Sequence, residues 1–324
     1  MKSRKYQETV ESLIFLSPFL VVFAMFLLYP IIYSLYLSFH EVVDLSQVFS
    51  SLDFVGMKHY SQLMGDKEFW WSLVVTFGYS LISIPFGIII ALILALLLSN
   101  KLPGKTFFRS AYFLPNVLDV LVVSIIWTLI YSAPYGYLLQ LMSKIAQLDI
   151  IFISSFFETL YNYFAKTGFL GNPVFALPAI IFALTLKGAG FGMVLFLAAI
   201  QNIPEDLYEA ADIDGASKIR TFFSITLPML KPILFFMIIT GIIGSLNAFT
   251  EIYVMTSGGP NITISESVPF FGGTTQGATK VTGYYLFRKF RDLKLGYAAA
   301  ISYVLLFITI FITFLNMKFF KNDD

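Results

Sequence analysis

The residue types that most often carry chemistry are sparse in this chain, so their spacing is decisive. Cysteine is absent from its 324 residues, which excludes disulfides, thiolate nucleophiles and sulfur ligands while leaving the redox compartment open. The two histidines, His40 and His59, stand apart without an H-E-x-x-H pattern, and they read as surface residues rather than metal ligands. The run "PGKT" at Pro103–Thr106 ends like a phosphate loop. That loop needs a glycine where Ser99 stands, and no strand leads into it, so the run fits better as a cationic end to an apolar segment. Three ionisable residues, Asp119, Lys187 and Glu251, lie inside long apolar stretches, where a charge is costly unless it meets a partner or a water-filled path. Lys187 costs roughly 3 kcal/mol at a span centre, against roughly 0.3–0.6 kcal/mol contributed by each surrounding Leu, Ile, Phe or Val, so the segment still inserts. The densest charge lies in "PEDLYEAADIDGASKIRTFFSITLPMLKP" (Pro204–Pro232), where Glu205, Asp206, Glu209, Asp212 and Asp214 interrupt an apolar region.

The elements that must position these residues are membrane spans. Hydrophobic residues make up 57% of the chain and charged residues only 13%, far from the composition of a soluble domain. Net charge is +1, so no basic surface argues for a nucleic-acid partner, and membrane lipid is the expected surroundings. Stretches of about 20 mostly apolar residues fall at Leu13–Phe39, Trp70–Ser99, Phe107–Tyr131, Val174–Gln201, Ile233–Thr256 and Gly296–Met317. The expected fold is therefore all-α, a polytopic membrane protein with about six transmembrane helices. The first span is too long for a removable signal peptide and is read as retained. A shorter run, Ile150–Phe164, carries Glu158 and several polar residues and reads as an interfacial amphipathic helix. With both termini cytoplasmic, eleven of the 21 Lys and Arg fall inside, nine outside, and Lys187 within a span, a slight positive-inside bias. Residues 1–69 form an N-terminal tail, first span and outer loop; residues 70–324 form the core.

Within the acidic insert, Pro204 suits a first helical position, and Glu205 and Asp206 favour the helix dipole. Helical spacing puts Leu207, Ala210 and Ala211 on a small-residue face and Glu205, Glu209 and Asp212 on an acidic one. Gly215 offers a stop, and "ASKIRTFFSI" restarts a second short helix. The expectation is a bent helical pair near 204–224, lying on the membrane surface and shaped to be gripped by a partner. Around Lys187, the glycines Gly188, Gly190 and Gly192 read either as cavity wall and kink or as close helix packing. In the fifth span Gly241, Gly244, Ser245 and Ala248 share one side, with Asn247 and Glu251 on an adjoining strip. The segment Thr256–Tyr285 is rich in Gly, Ser and Thr and reads as a long outer loop, either a partner contact or slack. A basic cluster, Arg288, Lys289, Arg291 and Lys294, follows it.

The wording "EAADIDGA" (Glu209–Ala216), with Phe222, Ile225, Leu227, Pro228 and Pro232 after it, closely resembles the EAA signature of ABC importer permeases. More specifically, the chain resembles their carbohydrate-type, maltose-permease-like branch over nearly its whole length. The linked segments "DFVGMKHY", "PGKTFFRSAYFLP", "FLAAIQNIPEDLYEAA", "VMTSGGP" and "FRDLKLGYAAAIS" occur in the right order. That resemblance implies that the helical pair couples to a cytoplasmic ATPase through Glu209, Ala210, Ala211, Asp214 and Gly215. It implies a substrate path at Gly188, Phe191, Gly244, Ser245 and Ala248, to which the charges and polarity above add Lys187, Asn247 and Glu251. It further implies a second homologous permease, two ATPase copies that bind ATP and Mg, an extracytoplasmic solute-binding protein, and a bacterial inner-membrane location. No cofactor is expected in this chain, which is not read as an enzyme. Lys187 and the basic cluster fit an anionic oligosaccharide, and the whole chain looks like a permease of alginate-oligosaccharide import. The alternative is an ion-coupled secondary transporter or channel, which would need internal repeats, and none is visible.

Overall fold

A computed structural model describes residues 2–43, 51–100, 103–147 and 151–321. Lys101, expected at the end of the second span, lies outside these residues. Helix α1 (Lys2–Phe23) continues through a π-helical turn (Ala24–Leu28) into α2 (Tyr29–Ser38). Strands β1 (His40–Val42) and β2 (Leu52–Phe54) precede α3 (Lys58–Gly65) and α4 (Lys67–Ser99). Then come α5 (Lys105–Val117), α6 (Val120–Tyr131), α7 (Tyr137–Ala146), α8 (Ile151–Phe164) and α9 (Ala176–Gln201). Helices α10 (Glu205–Ile213), α11 (Lys218–Thr221), α12 (Leu227–Met229), α13 (Lys231–Leu246) and α14 (Thr250–Met255) follow, then β3 (Asn261–Thr263), β4 (Thr275–Gly277), α15 (Thr282–Arg291) and α16 (Leu295–Lys321).

Among the described residues, four helical stretches are long and apolar enough to cross a membrane: Glu11–Ser38, Lys67–Ser99, Ala176–Gln201 and Leu295–Lys318. Two bent pairs bring the number to six if each counts as one crossing. The third expected span is one of them: α5 and α6 meet at 98° instead of running as a single helix from Phe107 to Tyr131. Pro115 removes a donor near the end of α5. Leu118 and Asp119 are extended, and the Asp119 side chain accepts from Leu121 N at 2.8 Å to start α6 afresh. The fifth expected span likewise stops early, at Leu246. The amide of Asn247 turns back to the Ile243 carbonyl at 2.8 Å, and a short helix resumes at Thr250. Helix α8 has 14 residues, about 21 Å at 1.5 Å per residue, too short to cross a core of about 30 Å.

The chain divides into two units. The first comprises residues 1–66 and 286–308. In it β1 and β2 pair antiparallel with His40 opposite Phe54, Tyr303 Oη bonds Ser34 Oγ at 3.0 Å, and Tyr297 Oη donates to Asp66 Oδ2 at 2.7 Å. The histidines are buried here, not surface residues as the sequence suggested. His40 Nδ1 donates to the Tyr36 carbonyl at 2.7 Å and His59 Nε2 to the His40 carbonyl at 3.1 Å. Gly296 packs so tightly that a Cβ would lie 2.1 Å from the His40 carbonyl oxygen.

The second unit comprises residues 67–285 and 309–324. Helices α4 and α9 pack along one another, α5 and α13 lean on that pair, and α14 packs on α6. One buried cluster joins Val75, Tyr79, Ile180 and Ile252; another joins Ala91, Ala95, Met193, Phe196 and Leu230. The segment Thr256–Tyr285 contains a short hairpin, with Asn261 opposite Gly277, and runs into the first turn of α15. It is fastened to the start of α4 by Trp71 Nε1 donating to the Gly277 carbonyl at 3.0 Å and by a Lys280–Glu68 ion pair at 2.6 Å.

Candidate functional site

Two features of the second unit concentrate the residues singled out from the sequence. The first is the helical pair around Gly215. Pro204 caps α10 rather than entering it, and Glu205 and Asp206 occupy the first turn, where acids favour the positive end of the helix dipole. At the other end Gly215 takes φ +69°. Ala216 N donates to the Ala211 carbonyl at 2.9 Å and Gly215 N to that of Asp212 at 3.1 Å, the paired bonds of a Schellman turn. A side chain at Gly215 would meet nothing within 4 Å, so backbone strain alone selects glycine. Ser217 then caps α11 by accepting from Arg220 N at 3.4 Å. Across the turn, Tyr208 Oη bonds Thr226 Oγ1 at 3.0 Å and ties the two arms together.

The pair is rooted by Ile203 and Leu230, both buried, and Leu230 belongs to the cluster between α4 and α9. Glu209, Ala210 and Asp214 are exposed, while Ala211 is half-buried. Ile213, Ile219 and Phe223 are exposed beside them, Ile213 to 86%. A short rigid element with acids and large apolar side chains facing outward is suited to docking against another chain.

The second feature is a cavity of about 460 Å³ between α4, α9, α13 and α14. Of the expected path residues, Gly188, Phe191, Gly244, Ser245 and Glu251 line it; Lys187, Asn247 and Ala248 are not among its lining. The glycines differ in what surrounds them, although Gly241 also lines the cavity. At Gly188 and Gly244 a Cβ would meet nothing within 4 Å, so these two keep the cavity open. At Gly190 a Cβ would lie 2.1 Å from the Tyr112 carbonyl oxygen, at Gly192 it would lie 2.6 Å from Met237, and at Gly241 it would lie 2.9 Å from Ile84. Those three serve helix packing. No kink results, since α9 runs unbroken for 26 residues.

Lys187 points instead at the end of α5, where its Nζ donates to the Asn116 carbonyl at 3.4 Å. A cation there meets the negative end of a helix whose last carbonyls have lost their intrahelical partners. Glu251 sits in the first turn of α14 and receives Tyr79 Oη at 3.5 Å. Asn247 caps α13, and Ala248 is buried in the break after it, with its carbonyl against Gly283. Tyr79, Ser83, Thr185 and Thr240 also line the cavity. The sequence reading missed them because isolated hydroxyls in apolar helices carry no periodic signal.

Three comparisons bear on this geometry. Residues 83–318 match the family described as "binding-protein-dependent transport system inner membrane component". The chain is 32% identical to the trehalose/maltose transport system permease protein MalF of Thermococcus litoralis, over 98% of this chain and 97% of that protein. It is 31% identical to the lactose transport system permease protein LacF of Rhizobium radiobacter, over 97% and 95%. Its fold is similar to that of a chain in the crystal structure of a bacterial alginate ABC transporter in complex with an alginate pentasaccharide-bound periplasmic protein. There the TM-score is 0.71 at 22% identity, covering 97% of this chain and 94% of the other.

Proposed function

This chain belongs to the family of binding-protein-dependent transport system inner membrane components, and we propose that it forms half of the pore of an oligosaccharide ABC importer. The observation that carries the reading is the helical pair around Gly215, capped at both turns, tied by Tyr208 and presenting Glu209 outward. Its rigidity lets a push on its surface reach α9 and α13 through Ile203 and Leu230. A second homologous permease completes the pore, and two ATPase copies bind ATP and Mg and grip the helical pairs. Closure of the ATPases draws the pairs together and turns the cavity from one side of the membrane to the other, the alternating-access form of a two-state equilibrium. A solute-binding protein delivers the cargo, and both termini of this chain face the cytoplasm.

The cargo rests in the cavity at Gly188, Phe191, Gly244 and Ser245. Phe191 is exposed there and offers a ring for a sugar face, while the side-chain hydroxyls accept from or donate to sugar hydroxyls and the Glu251 carboxylate accepts from them. Relatives named for trehalose, maltose and lactose favour a neutral oligosaccharide, and the alginate transporter of similar fold keeps an acidic one in view. The wall contributed by this chain carries a carboxylate and no lysine or arginine, so an acidic cargo would need its cations from another subunit. The test is co-purification from cells expressing the neighbouring genes, with and without Glu209→Lys. The expected result is a second permease and an ATPase bound to the wild type, and loss of the ATPase alone from the variant. Retention of the ATPase by Glu209→Lys would remove this residue from the coupling surface, and purification of a solitary chain would sink the importer reading.

A further inference from the structure

The first unit holds a cavity of its own, about 560 Å³, lined by residues from β1, α3, the end of α15, the turn after it and the start of α16. Its volume lies within the range of small-molecule sites. Its lining carries charges of both signs: Glu41, paired with Lys58 at 2.7 Å, and Asp66, which accepts from Tyr297, supply carboxylates, and Lys289 and Lys294 supply ammonium groups. His59 also lines it, is 5% exposed, and has an Nδ1 with no hydrogen-bond partner. The tautomer follows from the other ring nitrogen. Nε2 faces a carbonyl, that of His40, and a carbonyl only accepts, so Nε2 carries the proton and neutral His59 offers Nδ1 as an acceptor. Buried polar atoms are seldom left in that condition, and a hydroxyl seated in the cavity would supply the donor that Nδ1 lacks among the described residues. Among the described residues no three carboxylate, imidazole or thiol groups converge as metal ligands would. An anion would face two carboxylates and a cation two ammonium groups. A neutral polyol meets both, because every hydroxyl donates once and accepts twice.

We propose that this cavity is a second saccharide site, distinct from the one between α4, α9, α13 and α14. It holds a hydroxyl-rich sugar unit between Asp66, His59 and the two lysines. It rests on the cargo reading above for the choice of saccharide. With the N-terminus cytoplasmic, as proposed above, and one span before it, the cavity would lie on the extracytoplasmic side. There it would hold one end of a chain-like cargo before the pore admits it.

The test uses the whole transporter in nanodiscs without binding protein, with Gly188→Trp filling the pore cavity, and maltotriose and a uronate trisaccharide as probes. Binding that persists in this background and weakens about tenfold or more on Asp66→Asn or His59→Gln supports the site. His59→Gln keeps a donor for the His40 carbonyl and moves the acceptor from the Nδ1 position, at the cost of the ring contact with Tyr297, so unchanged melting of the variant must accompany the loss of affinity. Lys294→Met, at an exposed position, repeats the test should either buried variant fail to fold. No binding in the Gly188→Trp background, or binding indifferent to these substitutions, overturns the second site. Absence of uptake of either probe by the wild type with its binding protein instead overturns the cargo reading.

Discussion

The glycines of α9 allow the roles of cavity and packing to be separated by single methyl groups two residues apart. Replacing glycine by alanine inside a helix gains up to about 1 kcal/mol when the new methyl meets nothing. Gly188 meets that condition, with no atom within 4 Å of an added Cβ, so Gly188→Ala should be neutral or stabilising. At Gly190 the same methyl would sit 2.1 Å from the Tyr112 carbonyl oxygen and 2.8 Å from Phe113 Cα. Backbone cannot swing aside as a side-chain tip can, so α5 must retreat by more than 1 Å from ordinary contact. Overpacking of this kind costs about 1–3 kcal/mol, and the two variants should differ by about 1–4 kcal/mol. The assay is thermal unfolding of the purified complex in nanodiscs, run beside cargo uptake. Gly190→Ala should melt several degrees below Gly188→Ala. Gly188→Leu, which projects into the cavity, should assemble and melt like the wild type yet lose uptake. Equal melting of the two alanine variants would refute the division of the glycines, and full uptake by Gly188→Leu would remove the cavity from the path.

Lys187→Met takes a donor from the Asn116 carbonyl, costing about 1–3 kcal/mol. It should lower the melting temperature of the complex without changing the preference between neutral and uronate sugars in a competition uptake assay. Lys280→Met removes a largely buried partner from Glu68 and should destabilise by about 3 kcal/mol, with Lys280→Met/Glu68→Leu recovering most of the loss in the same melts. Beyond the first span, the hydrogen bond and charge of Lys58 hold the Glu41 carboxyl below its ordinary value. That contribution is complete above the ordinary glutamate range and is lost as pH falls through the lowered, folded-state value. Both side chains are about half exposed, so it stays within about 1 kcal/mol. Melts of Lys58→Ala should therefore lie slightly below wild type at neutral pH and merge with it in acid.

Long apolar elements were legible in the sequence because hydropathy is a one-dimensional property: Trp70–Ser99 and Gly296–Met317 reappear almost unchanged as α4 and α16. So was the helical pair, because Gly215 is demanded by φ +69° and Ser217 by the start of α11, both local requirements. Other features depended on what another segment brings. Gly188, Gly190 and Gly192 are one residue type on one helix, and only the approach of α5 and α13 divides them. The burial of His40 and His59 depends on Tyr36 and on each other, with nothing in their spacing to announce it. An apolar run, moreover, does not show where its helix ends. Phe107–Tyr131 is apolar on both sides of the break at Asp119, and Ile233–Thr256 on both sides of the break at Asn247.

Those breaks change what the charges in the apolar spans mean. An interrupted helix inside a membrane leaves donors at one end and acceptors at the other with no water to satisfy them. Asp119 answers the donors of α6, Lys187 answers an acceptor of α5, and Glu251 sits at the donor end of α14. All three intramembrane ionisable residues therefore stand at helix ends, and of the three only Glu251 lines the cavity. A charge in an apolar span thus marks an interruption of the backbone before it marks a cargo. The specificity of this pore should accordingly be sought first in Glu251 and the hydroxyls beside it.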